Sequence, residues 1–178
     1  MKAVADSTVL IFLAKLNRLS LLRLLYEEVV ISEAVYEESV TQGLFYGYPD
    51  ARIIEAFLRS HEGEFLSVCK PSVWPEGLEE TPLGQGEKET IALAYEIKAE
   101  ALLDDNRARK IARNYGLRTR GLLGILIQGY QSEVISAEAL AELLDLIEIR
   151  EDIWIRPDLC KELREKLLLQ AYEQDDAT

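Results

Sequence analysis

Apolar residues along this chain fall into short β-branched runs alternating with longer segments in which Leu and Ile return every three or four positions. KAVAD reads as a strand ending in Asp6, and STVLIFLAKLNRLSLLRLLYE as helix, with Ser7 and Thr8 as N-cap candidates and Asn17 with Ser20 able to divide it. EEVVIS predicts a second strand, and EAVYEESVTQG a helix closed by Gly43. An aromatic-glycine loop, LFYGYPD, leads into the helix ARIIEAFLRS, and EFLSVCK supplies a third strand. KPSVWPEGLEETPLGQG, rich in Pro and Gly, reads as a surface connection. GEKETIALAYEIKAE is an amphipathic helix, ALLDD a strand, NRARKIARNYG a helix with a glycine stop, and LRTRG a short strand or extended link. Beyond Gly121 helices dominate: GLLGILIQGYQ, SAEALAELLDLI and PDLCKELREKLLLQAYEQ.

Strands alternating with helices predict an α/β domain with a parallel sheet covered on both faces. No internal repeat interrupts the pattern. The 178 residues fit one domain, 1–178, with a helical portion from about residue 121. Leu140, Leu143, Leu144 and Ile147 form a stripe suited to packing within the chain.

Composition narrows the chemistry. Hydrophobic residues make up 48% and charged residues 29%, as in a folded globular protein rather than a disordered one. No apolar stretch is long enough to span a membrane, and no signal peptide is evident, so a cytoplasmic protein is expected. Cys69 and Cys160 are too few for a disulfide framework and read as packing residues. The single histidine, His61, lies in SHEGE without a second histidine to share a metal or a proton, and reads as a solvated loop residue. A net charge of −12 disfavours nucleic-acid binding over a broad surface. One local exception stands out: Arg107, Arg109, Lys110, Arg113, Arg118 and Arg120 form a block free of acids. Those six are part of a total of 20 basic residues, leaving 14 elsewhere against 32 acids.

Acids sit where a parallel sheet places ligands, beyond the carboxyl ends of strands. Asp6 ends the first strand, Glu38 lies early in the helix after the second, Glu87 opens the helix before the fourth, and Asp104 with Asp105 ends that strand. Each has a structural alternative as a helix cap, a dipole partner, a turn residue or a solvated acid. Gathered together they repel, by up to about 4 kcal/mol for a pair about 4 Å apart at an effective dielectric near 20. A divalent cation relieves that repulsion, and an oxygen-only donor set selects Mg²⁺ or Mn²⁺ over zinc. Such a site suits in-line cleavage of a phosphodiester, with the basic block holding the backbone. The block's alternative is a solvated helix face with Ala108, Ile111, Ala112 and Tyr115 turned inward. Glu37 competes with Glu38, but the two point about 100° apart on a helix, and Glu38 shares the border of the buried stripe with Val35 and Ser39.

The strings VADSTVLIFLAKL, VVISEAVYEE, GQGEKETIALAYE, ALLDDNRARKIA and GLRTRGLLGILI, in that order, resemble the PIN-domain ribonucleases, in the branch related to toxin–antitoxin nucleases. The resemblance covers essentially the whole chain. It implies a three-layer α/β/α sandwich around a mainly parallel sheet, and a Mg²⁺- or Mn²⁺-dependent endoribonuclease. Carried over by motif, the catalytic acids are Asp6 in ADST, Glu38 in VYEE, Glu87 and Asp105, and the metal ligands are these four with Asp104. Ser7, Arg107, Arg109, Lys110, Arg113 and Arg120 are the expected substrate contacts. Leu103 and Leu122 stand where relatives commonly carry threonine. The expected partners are RNA, a small basic antitoxin complementary to the acidic cleft, and a second copy in a homodimer. Two competing readings differ in class. One is a PIN-like module without effective catalysis that binds RNA or protein. The other is a phosphoryl-transfer receiver, which expects adjacent acids after the first strand where Asp6 stands alone.

Overall fold

The computed structural model describes residues 1–61 and 63–165. Five strands, β1 (Lys2–Ala5), β2 (Glu28–Ser32), β3 (Leu66–Cys69), β4 (Glu100–Leu102) and β5 (Thr119–Arg120), form one parallel sheet in the order β3-β2-β1-β4-β5. Val4 of the central strand is in register with Val30 on one side and Ala101 on the other. Ala3, Val4 and Ala5 are fully buried, as a strand covered on both faces requires. Val4, Val30 and Ala101 share one core with Ile91, Ala92 and Ala94 of α6 (Gln85–Ile97) and Ala108 and Ala112 of α7 (Asn106–Asn114). Strand alternation turns the neighbouring residues to the other face. There α1 (Ser7–Lys15) packs against α5 (Pro49–His61). The expected α/β sandwich is therefore the fold of this chain.

The long first helix does divide where Asn17 and Ser20 suggest. Asn17 takes a left-handed conformation (φ 53°), and the Arg18 N–H returns to the Leu13 carbonyl at 2.7 Å, before α2 (Ser20–Leu25) begins. Its start is one residue earlier than expected: Asp6, not Ser7 or Thr8, is the N-cap, accepting the Thr8 N–H at 3.3 Å. Gly43 does not stop the next helix. Helical structure runs from α3 (Glu33–Tyr36) through a π-helical stretch, Glu37–Gln42, into α4 (Gly43–Phe45). Gly43 is helical at φ −59°, and a Cβ there would sit 2.6 Å from the Ala51 Cβ of α5, so this glycine permits close packing. Gly47, at φ +77°, makes the stop instead, with Tyr48 N–H bonded to the Gly43 carbonyl at 2.8 Å.

His61 is the last residue of α5 rather than a loop residue, and its ring lies 4.5 Å from that of Phe57. Of the two cysteines assigned to packing, Cys160 is buried and Cys69 is only half-buried. The connection 70–84 follows the surface yet is anchored, because Leu78 is fully buried in the core beneath α6 and α7. The expected helical portion begins with α8 (Leu122–Gln131) and continues in α9 (Ala137–Ile149) and a helix over 157–165; the remainder of the expected last helix lies outside the described residues. By their contacts the described residues group into two compact units, which meet in the sequence between Gln128 and Gly129. Within the second, Ser136 caps α9 and Leu140, Leu143, Leu144 and Ile147 are buried, while Arg164 reaches Asp145 and Glu148 at 2.7 and 3.1 Å. Among the described residues no helix is long and apolar enough to cross a membrane.

Candidate active site

The strand order reverses at β1: the chain leaves toward β2 and β3, then returns to place β4 on the other flank. Turns beyond the carboxyl ends of β1 and β4 therefore diverge and open a crevice. Asp6 follows β1 directly, and Asp105 follows β4 as the N-cap of α7, accepting the Ala108 N–H at 2.8 Å. Glu38 comes from the π-helical stretch after β2, and Glu87 from the first turn of α6. π-helical turns are uncommon and occur often at functional sites.

Asp6 is only 3% exposed. Its Oδ2 accepts the Thr8 N–H, while Oδ1 is buried with no hydrogen-bond partner among the described residues. Burial, then the charge of Glu87, and further the charge of Glu38 push its pKa up to about 7 against opposing N–H groups of Thr8 and Ser7. Glu87 is also raised, first by burial and then by Asp105 and Glu38, with the Gly84 N–H and Arg107 pulling the other way. Each of the four acids thus lies within range of another's charge. Glu38 is held on two sides: Ser7 Oγ donates to Oε2 at 2.8 Å and the Gly86 N–H to Oε1 at 3.3 Å. The Glu87 carboxylate caps its own helix by accepting the Gly84 N–H at 2.9 Å.

Among the described residues, no three Asp, Glu, His or Cys side chains already enclose a common point at coordination distance. The donor chemistry nevertheless fits a hard divalent cation: the acids offer oxygen alone, and one buried oxygen, Asp6 Oδ1, is unsatisfied. Asp6, Glu38, Glu87 and Asp105 supply those oxygens.

Asp104 departs from this group. Its Oδ1 accepts the Leu122 N–H at 3.0 Å at the start of α8 and lies 4.0 Å from Arg109 Nη1. Burial raises its pKa, the Leu122 N–H and Arg109 lower it, and the acid acting on it is its neighbour Asp105. Asp104, also expected as a metal ligand, thus tethers the start of α8 through one carboxylate oxygen. The basic block also separates. Arg107 is exposed and near enough to Glu87 to stabilise its charge, and Lys110 is exposed on the same helix. Arg113 is exposed but donates to Thr119 Oγ1 at 2.9 Å. Arg109 is taken up by Leu103 O, Asn106 Oδ1 and Asp104. Arg120 donates to buried Glu100 at 3.1 Å, and Glu100 begins β4, at the end of the strand away from the acids. Arg109 and Arg120, both expected to contact substrate, are thus bonded within the chain.

Two residues of the site escape the sequence reading. Gly86 lies against Glu38, where a Cβ would come within 2.6 Å of Oε2 and 2.9 Å of Oε1. Glu89, buried in α6, accepts the Ala34 N–H at 3.2 Å in the first turn of α3 and the Gln85 amide at 2.8 Å. It anchors the helical segment that carries Glu38. A signal existed in GQGEKETIALA, because Gly86, Glu89 and Leu93 share one helix face at spacings of three and four, and an acid on an otherwise apolar stripe needs a buried donor. Gly86→Ala is expected to leave folding intact, since alanine favours the helix by up to about 1 kcal/mol. It should displace the Glu38 carboxylate, which is the flexible end of its side chain. A divalent-cation titration followed by Trp fluorescence should then show at least about tenfold weaker binding, as ligand-orienting contacts typically contribute.

The sequence matches the family model described as DUF3368: PIN domain over residues 2–168. PIN domains are generally nucleases and typically depend on divalent metal. Among curated proteins no match reaches significance. A similar solved structure is that of a PilT N-terminus domain protein from the hyperthermophilic archaeon Sulfolobus solfataricus P2, at 17% identity and TM-score 0.47, with 74% of this chain and 95% of that one covered. The match to the family model extends over nearly the whole chain: this protein belongs to the DUF3368 family of PIN domains, a class whose members are in general nucleases.

Proposed function

We propose that the protein is a Mg²⁺- or Mn²⁺-dependent endoribonuclease. The observation that carries this reading is Asp6 Oδ1, a buried oxygen without a hydrogen-bond partner on an acid whose ionisation is opposed by Glu87 and Glu38. A buried acid in that condition is stabilised by a cation. Asp6, Glu38, Glu87 and Asp105 would hold it, and Ser7 with the Gly86 N–H keeps Glu38 turned toward the group. A divalent cation bound there would polarise a water for attack and offset charge on the cleaved phosphodiester. Arg107, exposed beside Glu87, would bind the RNA phosphate, with Lys110 and Arg113 extending the track along α7.

The same cleft suits regulation by a partner. An inhibitor presenting Arg or Lys complements both the four acids and the net charge of −12, as expected of an antitoxin, and a homodimer would present two such clefts. The test is cleavage of a mixed-sequence RNA by the purified protein. With Mg²⁺ or Mn²⁺ internal cuts are expected, and EDTA should abolish them. No cleavage with either ion, or cleavage undiminished by EDTA, refutes this function and favours a binding module.

A further inference from the structure

The two helices that bring Glu87 and Asp105 to the acidic cluster end, at their far termini, beside a second concavity. It encloses about 460 Å³ between the C-terminal turns of α6 and α7, the chain entering β5, and the loop at Val73. That volume lies in the range of sites for small organic ligands. At a rise of 1.5 Å per residue, the 13 residues of α6 separate it from the acids by roughly 20 Å.

Its lining combines aromatic faces with positive charge. Tyr95, 43% exposed, and Tyr115 stand edge to face, with ring centroids 6.4 Å apart and planes at 73°. Tyr115 is held by its hydroxyl, which donates to the Glu76 carbonyl at 2.9 Å. Lys98 and Arg118 both line the cavity and are exposed. Neither has a carboxylate partner among the described residues; the side-chain hydrogen bond of Arg118 goes to Met1 Sδ at 3.3 Å. In a chain with 32 acids and 20 bases, two such cations against the single carboxylate of Glu96 leave a net positive charge around this concavity. The acid in the lining, Glu96, is engaged elsewhere: its oxygens accept the Ser72 and Val73 N–H groups and the Ser72 hydroxyl.

We propose that this cavity binds a nucleotide, its base against the Tyr95 and Tyr115 rings and its phosphate between Lys98 and Arg118. Stacking on tyrosine needs a planar ring and tolerates any base, whereas the paired cations require an anion on the same molecule. A nucleoside monophosphate carries both. It can arrive free in solution or as the phosphorylated 5′ end of an RNA strand, and neither route depends on the proposed nuclease reading.

The test is isothermal titration of the full chain in EDTA, which excludes phosphate held through a cation at the acidic cluster. Adenosine 5′-monophosphate is expected to bind saturably, at least tenfold tighter than either adenosine or inorganic phosphate. R118Q and K98N should each weaken it at least tenfold, with asparagine chosen because Lys98 has φ 53° and asparagine accepts that backbone. Both residues are exposed, and an unchanged urea midpoint verifies folding. D6N should leave nucleotide binding as it is. Competition by a 5′-phosphorylated oligoribonucleotide, but not by its unphosphorylated form, identifies a strand end as the ligand; no competition identifies the free nucleotide. Absence of saturable binding overturns the proposal. So does equal binding of phosphate alone, or binding indifferent to both substitutions.

Discussion

Asp6→Asn is expected to stop RNA cleavage while making the metal-free protein more stable at neutral pH. The two effects share one cause. In the unfolded chain the Asp6 carboxyl ionises near 3.8, whereas in the folded protein burial and the nearby charges of Glu87 and Glu38 hold the proton until about pH 7. Between those values the folded state binds the extra proton, so stability contributed by this group falls as pH rises and reaches its minimum above pH 7. The rise from 3.8 to about 7 sets an upper limit of about 4 kcal/mol, at 1.36 kcal/mol for each tenfold change in acidity. Asparagine keeps the shape and can still cap α1 but carries no charge. About half of that limit, roughly 2 kcal/mol, corresponds to a Tm increase of about 4–8 °C for a chain of this size. At pH 4 the difference should disappear, because wild-type Asp6 is then protonated in the folded state. Under the proposed function, loss of an acid that would hold the cation is expected to reduce cleavage by at least about 10³-fold, or about 4 kcal/mol of transition-state stabilisation. Mg²⁺ should raise the Tm of the wild type and have little effect on the variant. Calorimetry across pH 4–8 with and without Mg²⁺, beside the cleavage assay, reads all of this. A lower Tm for metal-free Asp6→Asn at pH 7.5, or retained cleavage, would falsify the role assigned to Asp6.

The largest loss of stability is expected at the other end of β4. Glu100 is 2% exposed and accepts from Arg120 Nε at 3.1 Å and from the Tyr26 hydroxyl at 2.9 Å, and that hydroxyl also approaches Gln128 Oε1 at 3.2 Å. Burial first, then the Glu100 charge, drives the Tyr26 phenol well above its usual range, so it remains a donor. Arg120→Ala leaves the Glu100 carboxylate buried beside a single neutral donor. Removing one partner of a buried pair costs about 3–5 kcal/mol, which lowers the Tm by about 6–20 °C at this chain length. Replacing both charges, as in Glu100→Gln with Arg120→Met, should recover most of the loss, because the uncompensated charge is the main cost. The network lies away from the acidic crevice, so cleavage at 15 °C by the folded fraction of Arg120→Ala should remain near wild type. Urea unfolding of the single and double variants measures the first effect. If Arg120→Ala unfolds at the wild-type midpoint but loses cleavage, Arg120 belongs to the substrate surface after all.

Arg120 also illustrates how far the sequence could be read. Its position in a basic block suggested an RNA contact, but its partner is 20 residues away and meets it only because β4 and β5 pair with Leu102 opposite Arg120. Asp104 and Asp105 pose the same difficulty at shorter range. Both end a strand, yet Asp105 turns to cap α7 and Asp104 is drawn to the first turn of α8, a segment 18 residues further on. Gly43 looked like a helix stop because glycine often is one; its close approach to Ala51 depends on how α4 and α5 pack. Glu89 was missed because the Ala34 N–H that satisfies it lies 55 residues earlier. By contrast, the division at Asn17 and the acids after β1 and β4 were legible, since each depends on neighbours within a few residues.

The sequence by itself determined the order and kind of the main elements, the parallel α/β class and the acids at the ends of β1 and β4, because apolar period, caps and turn residues act over one or two turns of chain. Only the tertiary structure decided that Glu38 is held by Ser7 and Gly86, that Asp104 reaches Leu122 and Arg120 reaches Glu100, and that Asp6 keeps a buried oxygen unsatisfied. The direction of a side chain and the charge it meets follow from strand register and helix packing between distant segments, and local pattern carries no information about either.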